Sequence, residues 1–155
     1  MEVRLATRPD APRVKALLPL VYAAFGEASP GDAQLAAFLE SALADPTFEF
    51  VVAEENGALV GILSLAYCPT SYRASRMAFL DDFHVLEAAR GRGVGRAMLS
   101  FAADRATERG AVELKLLATP DDRRLRRIYF EAGFREAPLK LHVLALDVPG
   151  GRGAA

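Results

Sequence analysis

The architecture of this chain turns on Leu80-Asp81-Asp82-Phe83-His84-Val85-Leu86-Glu87-Ala88-Ala89-Arg90-Gly91-Arg92-Gly93-Val94-Gly95-Arg96. Residues 77–85 are an apolar run with strand character. Residues 87–93 are too charged and glycine-rich for regular structure, and from Val94 onward the apolar spacing turns helical. The passage therefore predicts strand, glycine loop, helix. A helix start leaves four backbone N–H groups without partners, and Ser, Thr, Asp or Asn normally supplies an oxygen for them. No such residue occurs between Ala88 and Met98. Uncapped N–H groups, the positive end of a helix dipole and glycines that admit a ligand close to the backbone make an anion site, suited to phosphate or pyrophosphate. Arg90, Arg92 and Arg96 add positive charge there.

Two other phosphate loops fail on spacing. A dinucleotide fingerprint would need glycine at Arg96 or at Met98, and the Lys-Ser/Thr pair of a nucleotide-triphosphate loop is absent. What remains, Arg90-x-x-Gly93-x-Gly95 between an apolar strand and an amphipathic helix, resembles the acetyl-CoA pyrophosphate loop of the GNAT superfamily of N-acyltransferases. Downstream, Ile128-Tyr129-Phe130-Glu131-Ala132-Gly133-Phe134 is similar to that superfamily's Tyr-x-x-x-Gly-Phe segment. Leu80-Asp81-Asp82-Phe83-His84-Val85 resembles the Leu-Glu-Asp-Phe-Phe-Val of its diamine, small-amine branch. The resemblance covers about residues 80–134 well, and the first seventy residues only in their order of elements.

Working outward, residues 3–6 read as a first strand and Arg8-Pro9-Asp10 as a turn into a helix with Val14, Leu17, Leu18 and Val21 on one face. Pro19 predicts a kink or an early end near Leu18. Ser29-Pro30 predicts a second helix, capped by Ser29 and running to about Ala44, with Leu35, Phe38, Leu39 and Ala42 towards the core. Residues 48–53 and 59–67 are apolar, β-branched runs joined through Asn56-Gly57, which favours a tight antiparallel hairpin. Residues 69–76 read as a loop. After the glycine loop, Val94, Ala97, Met98, Phe101 and Ala102 make a helical stripe ended by Gly110. Residues 112–118 predict a strand parallel to 77–85. Thr119-Pro120-Asp121-Asp122 predicts a helix start with Thr119 as cap, and Gly133 its stop. Residues 134–136 and 139–147 would close the sheet. The order β-α-α-β-β-β-α-β-α-β-β is that of the GNAT fold, a mixed, mostly antiparallel twisted sheet with helices on both faces. The expected division is one domain over residues 1–148 and a loose tail over 149–155.

At 155 residues with 52% hydrophobic content, the chain suits a single domain with a sizeable core. Its 19 basic and 20 acidic side chains nearly cancel, which lacks the electrostatic footprint of a nucleic-acid binder. The single Cys68 permits neither an internal disulfide nor a cysteine-rich metal site, so an intracellular, cytoplasmic protein without metal is expected. No signal-peptide form opens the sequence. The longest apolar run, residues 16–25, is broken by Pro19 and far short of a membrane span.

The resemblance implies an acetyl-CoA-dependent N-acetyltransferase acting on a primary amine of a small molecule or a protein, and leaves a homodimer open. It implies that Tyr129, which composition alone would place in the core, protonates the departing coenzyme thiolate. A phenol of pKa about 10 stays protonated at neutral pH. An alkyl amine must lose a proton before attack, which costs roughly 4 to 5 kcal/mol at pH 7, so a carboxylate base would help. Asp81 matches the glutamate proposed as base in the diamine branch but is one methylene shorter. Asp82, His84 and water are alternatives, and alternation along a strand predicts that at most one of the two aspartates reaches the acceptor. Cys68 has no partner base nearby, so direct attack in a ternary complex is preferred to an acyl-cysteine. Backbone N–H groups at Phe83, His84 and Val85 would serve the acyl oxygen and the pantetheine arm. Arg90, Gly91, Arg92, Gly93, Val94, Gly95 and Arg96 would hold the pyrophosphate. Asp122 stands where the superfamily often has a coenzyme-contacting Asn, so that contact is expected to be altered or lost. One of Arg123, Arg124, Arg126 and Arg127 is a candidate for the 3'-phosphate. The acceptor itself is not legible; Tyr22, Phe25, Glu27, Tyr72, Arg73 and Arg76 are available to it. A non-catalytic acyl-CoA-binding regulatory module is the alternative, and retention of Tyr129 favours the enzyme.

Overall fold

The computed structural model describes residues 1–118, 122–138 and 143. Among the described residues, five strands form one sheet in the order β1 (Glu2–Leu5), β2 (Phe48–Glu55), β3 (Ala58–Thr70), β4 (Ser75–Val85) and β5 (Ala111–Leu116). The first three pairings are antiparallel and β4–β5 is parallel. Asn56 and Gly57, with φ of 50° and 79°, make the left-handed turn that the Asn-Gly pair favours between β2 and β3.

Each face of the sheet carries its own core. Helices α1 (Ala11–Ala24) and α2 (Asp32–Ala42) cover one face, where Val14, Leu18, Val21, Leu35 and Leu39 pack on Phe50, Val52 and Ile62. Helix α3 (Val94–Glu108) and helix α4 (Arg123–Glu131) cover the other, where Met98, Leu99, Ala102 and Tyr129 meet Val51, Leu63, Leu65, Leu80 and Phe83. Two buried faces explain why β2 and β3 read as almost continuous apolar runs rather than alternating ones.

Several local expectations are corrected. Of the kink or early end expected at Pro19, the early end does not occur: helix α1 runs on to Ala24, because its buried stripe from Val14 to Val21 continues across the missing backbone bond and packing holds the turn. Gly31 rather than Ser29 stands at the α2 N-cap; the Ser29 hydroxyl donates to the Pro30 carbonyl instead. Phe38, expected in the core, is 42% exposed. Half of residues 69–76 is strand, since β3 and β4 extend until only Ser71 to Ala74 turn the chain. The α4 cap is Asp122, which accepts from the N–H groups of Arg124 and Leu125, so the helix begins later than a Thr119 cap would require. Residues 134–136 form no strand. The expected strand 139–147 and the tail 149–155 lie outside the described residues but for Val143.

Asp10 ties the first strand to the first helix. It is 4% exposed, accepts two bonds from Arg4 at 2.7 and 2.8 Å, and takes the backbone N–H and hydroxyl of Thr7. Arg4 and Arg13 also reach Glu54 at the end of β2. The Arg4 guanidinium holds the Asp10 carboxyl well below the usual carboxylate range, although burial opposes it. Removing the carboxylate leaves the half-buried Arg4 and Arg13 with Glu54 alone and the Thr7 N–H without its acceptor, so Asp10→Ala should cost about 2 kcal/mol, read from the denaturation midpoint in urea. Because the folded-state pKa is depressed, this contribution is present above about pH 4 and is lost as pH falls through the lower folded value. The gap between variant and parent should therefore narrow in acid.

Candidate active site

Past Leu80 the sheet opens. The β4–β5 register ends at Leu80 opposite Leu116, the last residue of β5, while β4 continues to Val85. Among the described residues no strand pairs with that edge of β4 over 81–85. Leu86 donates its N–H to Val60 on β3, so by alternation the backbone groups of Phe83 and Val85 point to the open edge. Arg90 Nε, which donates to the Val85 carbonyl at 2.9 Å, confirms that direction. The result is a row of backbone donors and acceptors leading toward the start of α3.

That start is uncapped. Gly93 occupies the N-cap in a left-handed conformation, φ 83°, and no side chain bonds the first-turn N–H groups. Gly91 is also left-handed, and a Cβ at either glycine would meet nothing within 4 Å, so the backbone here is open to a ligand. Gly95 has a different reason. A Cβ there would sit 3.1 Å from Phe83 Cζ, so this glycine lets α3 lie close against β4. An open helix start with glycines at the end of a free strand edge is a cradle that fits a pyrophosphate and an extended amide-bearing arm. The three arginines are not idle: Arg90 holds Val85, Arg92 pairs with Glu55 at 2.7 Å, and Arg96 with Glu131 at 2.5 Å. Of the α4 arginines, Arg126 pairs with Glu136 and Arg127 with Glu131.

A β-bulge sets the chemistry on β4. From Ile62–Ser64 on β3 the partner positions run from His84 to Asp81, one residue more than on β3, and Asp82 takes a φ of 54°. Leu80 and Phe83 consequently share the α3 face although three positions apart, while Asp82 is held by Ser64, whose neighbours Leu63 and Leu65 face α3 and which therefore stands on the α1/α2 side. Strict alternation is broken between Leu80 and Phe83. Ser64 stands opposite Asp81 in register, and its hydroxyl donates to Asp82 Oδ2 at 2.6 Å. The Asp82 N–H donates to Asp81 Oδ1 at 2.9 Å. Burial, with the Asp81 charge adding to it, pushes the Asp82 carboxyl upward against the Ser64 bond. Asp81 is exposed. His84, opposite Ile62, is pushed down by burial and by Arg90, which keeps the imidazole neutral at pH 7.

Tyr129 lies on α4, 8% exposed, its ring 5.9 Å from that of Phe83 and 6.0 Å from that of Phe134. Burial first, then the charges of Asp122 and Asp81, push its phenol up to about 12. No described residue hydrogen-bonds its hydroxyl. Asp122 spends its carboxylate on the α4 cap, a use that does not require the coenzyme. Cys68 sits half-buried on β3 opposite Met77, away from both aspartates. Arg76 is six positions along β4 from Asp82, roughly 20 Å of extended strand, so the 72–76 turn and the carboxylates stand at different ends. Tyr22 lies on the carboxylate side, where the Asp82 charge is felt at its phenol.

Ser64 was not singled out from sequence. A lone hydroxyl inside the otherwise apolar run of β3, where Ile62, Leu63 and Leu65 are fully buried, was the available signal.

An uncapped helix start beside a free strand edge is an anion-accepting feature on an α/β scaffold. Residues 14–134 match the model of the acetyltransferase (GNAT) family, and the chain belongs to that family. It is similar to the uncharacterized N-acetyltransferase YhfO of Bacillus subtilis (strain 168), 33% identical over 96% of this chain and 99% of that protein. It is 29% identical to the aminoalkylphosphonate N-acetyltransferase of Salmonella typhimurium, over 88% of this chain and 86% of that one. A crystal structure of a probable acetyltransferase superposes with a TM-score of 0.85 at 25% identity, covering 95% of this chain and 99% of that chain. The chain is thus an acetyltransferase, and the family's cosubstrate is acetyl-CoA. No helix among the described residues is long and apolar enough to cross a membrane.

Proposed function

We propose that the chain transfers an acetyl group from acetyl-CoA to a small primary amine by direct attack in a ternary complex. The free edge of β4, which ends at the open start of α3 and beside Tyr129, carries this reading. When bound, acetyl-CoA supplies an activated thioester carbonyl. The outward N–H groups of Phe83 and Val85 are donors for the acyl oxygen and the pantetheine amides, with His84 between them turning its backbone to β3. The N–H groups from Gly93 to Arg96 receive the pyrophosphate, with Arg90, Gly91 and Arg92 shaping the loop. Tyr129 offers its protonated hydroxyl to the leaving sulfur. Similarity to an aminoalkylphosphonate N-acetyltransferase and to the diamine-branch motif at Leu80–Val85 supports a small-molecule amine as acceptor.

Asp81 acts as the base in this scheme. One of its oxygens is held by the Asp82 N–H, it faces solvent, and its charge reaches Tyr129, so its second oxygen can take a proton from the amine through water. Asp82 lies deeper and attracts the incoming ammonium. Asp81→Asn should lower kcat/KM roughly thirtyfold near pH 7, less than a directly acting base because water still carries the proton. The loss should shrink toward pH 10, where more amine is already neutral. A pH profile of thiol release checks this, and an equal loss at every pH excludes the base role.

A further inference from the structure

We infer that the acceptor is a primary monoamine bearing an apolar ring, with the ring held in the hollow between α1 and α2 and the amine at Asp81 and Asp82. This inference rests on the amine-acetylating reading above. A hollow of about 210 Å³ is lined by Tyr22, Pro30, Gln34, Leu35 and Phe38. An enclosed apolar cavity of about 150 Å³ takes up benzene; this hollow is open on one side, so its volume admits one six-membered ring laid against its wall. Four of its five walls are apolar or aromatic and none is charged. Phe38 is braced there by edge-on contacts with Phe48 and Phe50, at 6.2 and 6.4 Å between ring centres, although it is 42% exposed. A rigid, exposed aromatic wall is costly to leave against water and useful against a ring.

Tyr22 joins the hollow to the carboxylates. It lines the hollow on the α1 side and packs on the same core as Ile62, two residues along β3 from the Ser64 that holds Asp82, so hollow and Asp82 share one face of the sheet; the Asp82 charge, after burial, raises its phenol. The two ends of the site thus differ in kind: carboxylates at one, uncharged aromatic surface at the other. An amine with a second cation or an anion at its far end would leave that charge against Phe38 and Leu35, which carry no partner for it. Arg73 and Arg76, which would suit an anionic acceptor, belong to the far end of β4.

The test measures kcat/KM with acetyl-CoA for 2-phenylethylamine, propylamine, spermidine, 2-aminoethylphosphonate and an alanyl peptide. The ring amine should exceed propylamine by about tenfold or more, the effect of burying a ring. Gln34→Trp, at an exposed position, fills the hollow and should bring that ratio close to one. Phe38→Ala should lower it about tenfold, with the thermal shift by acetyl-CoA reporting that each variant is folded. Preference for spermidine, the phosphonate or the peptide over the ring amine overturns the inference while leaving amine acetylation standing, as does a ratio unchanged in Gln34→Trp. If no amine is acetylated, the proposed function fails and the hollow is judged by calorimetry on protein saturated with CoA. Saturable binding of 2-phenylethylamine that Gln34→Trp abolishes then supports the site, and its absence overturns it.

Discussion

Tyr129→Phe is expected to lower kcat a hundredfold or more while the dissociation constant for acetyl-CoA stays within a few-fold. The ring that packs between Phe83 and Phe134 is retained, so folding and coenzyme binding keep their contacts. Only the hydroxyl goes, and general acid catalysis is typically worth about a hundredfold to ten-thousandfold. Because burial holds the phenol up to about 12, it is un-ionised throughout the working range. Tyr129 therefore adds no falling limb to the kcat profile below about pH 11. An ordinary thiol, at about 8.5, is a weaker base than this phenolate, so complete transfer in the ground state would be uphill by roughly 5 kcal/mol. The hydroxyl consequently works mainly as a hydrogen-bond donor to developing charge on sulfur, and a sulfur buried beside it narrows the gap. Pre-steady-state release of thiol measures the effect. A folded variant as fast as the parent assigns the donor elsewhere, and one that unfolds makes Tyr129 a core residue first.

Gly93→Val should abolish the stabilisation that acetyl-CoA confers. In the parent, ligand at a hundred times its dissociation constant stabilises the native state by about 2.7 kcal/mol, a clear rise in Tm. At Gly93 space is not the obstacle, since a Cβ there would meet nothing within 4 Å. The obstacle is φ of 83°, which a β-branched residue adopts only under strain of about 1 to 3 kcal/mol. Relief of that strain turns the loop and misdirects the first N–H groups of α3, while the two cores on either side of the sheet are untouched. The variant should remain folded, with a slightly lower Tm and no response to coenzyme. Gly95→Ala is the contrasting case, because its Cβ meets the Phe83 ring at 3.1 Å. Its first effect should fall on stability through the α3–β4 packing. An undiminished coenzyme shift in Gly93→Val removes the loop from the binding site.

Local chemistry made the centre of the chain legible from residues alone. The lack of a capping side chain from Ala88 to Met98, the glycines at 91 and 93, and the Asn56-Gly57 turn each act within a few residues, so their consequences are written in short stretches. The apolar stripes of α1 and α3 likewise specify which side of each helix is buried, whatever it packs on. Pro19 and Ser29 show where local rules give way, because the packed stripe from Val14 to Val21 outweighs one missing backbone bond and a neighbouring carbonyl claims the Ser29 hydroxyl.

What lies between distant segments only the tertiary structure decided. The bulge that brings Leu80 and Phe83 to one face depends on the register of β4 against β3, and Ser64 acquires its role only when that register brings it to Asp82. Among the described residues, the free edge over 81–85 exists because β5 stops at Leu116 while β4 runs on to Val85. Arg92 and Arg96, read as loose positive charge, are claimed by Glu55 and Glu131, 37 and 35 residues away along the chain. Burial of Tyr129, which sets its phenol near 12, comes from Phe83 and Phe134 converging on α4. Pairing partners, strand register and desolvation are properties of three-dimensional neighbours, and a chain read one residue after another does not contain the distances that create them.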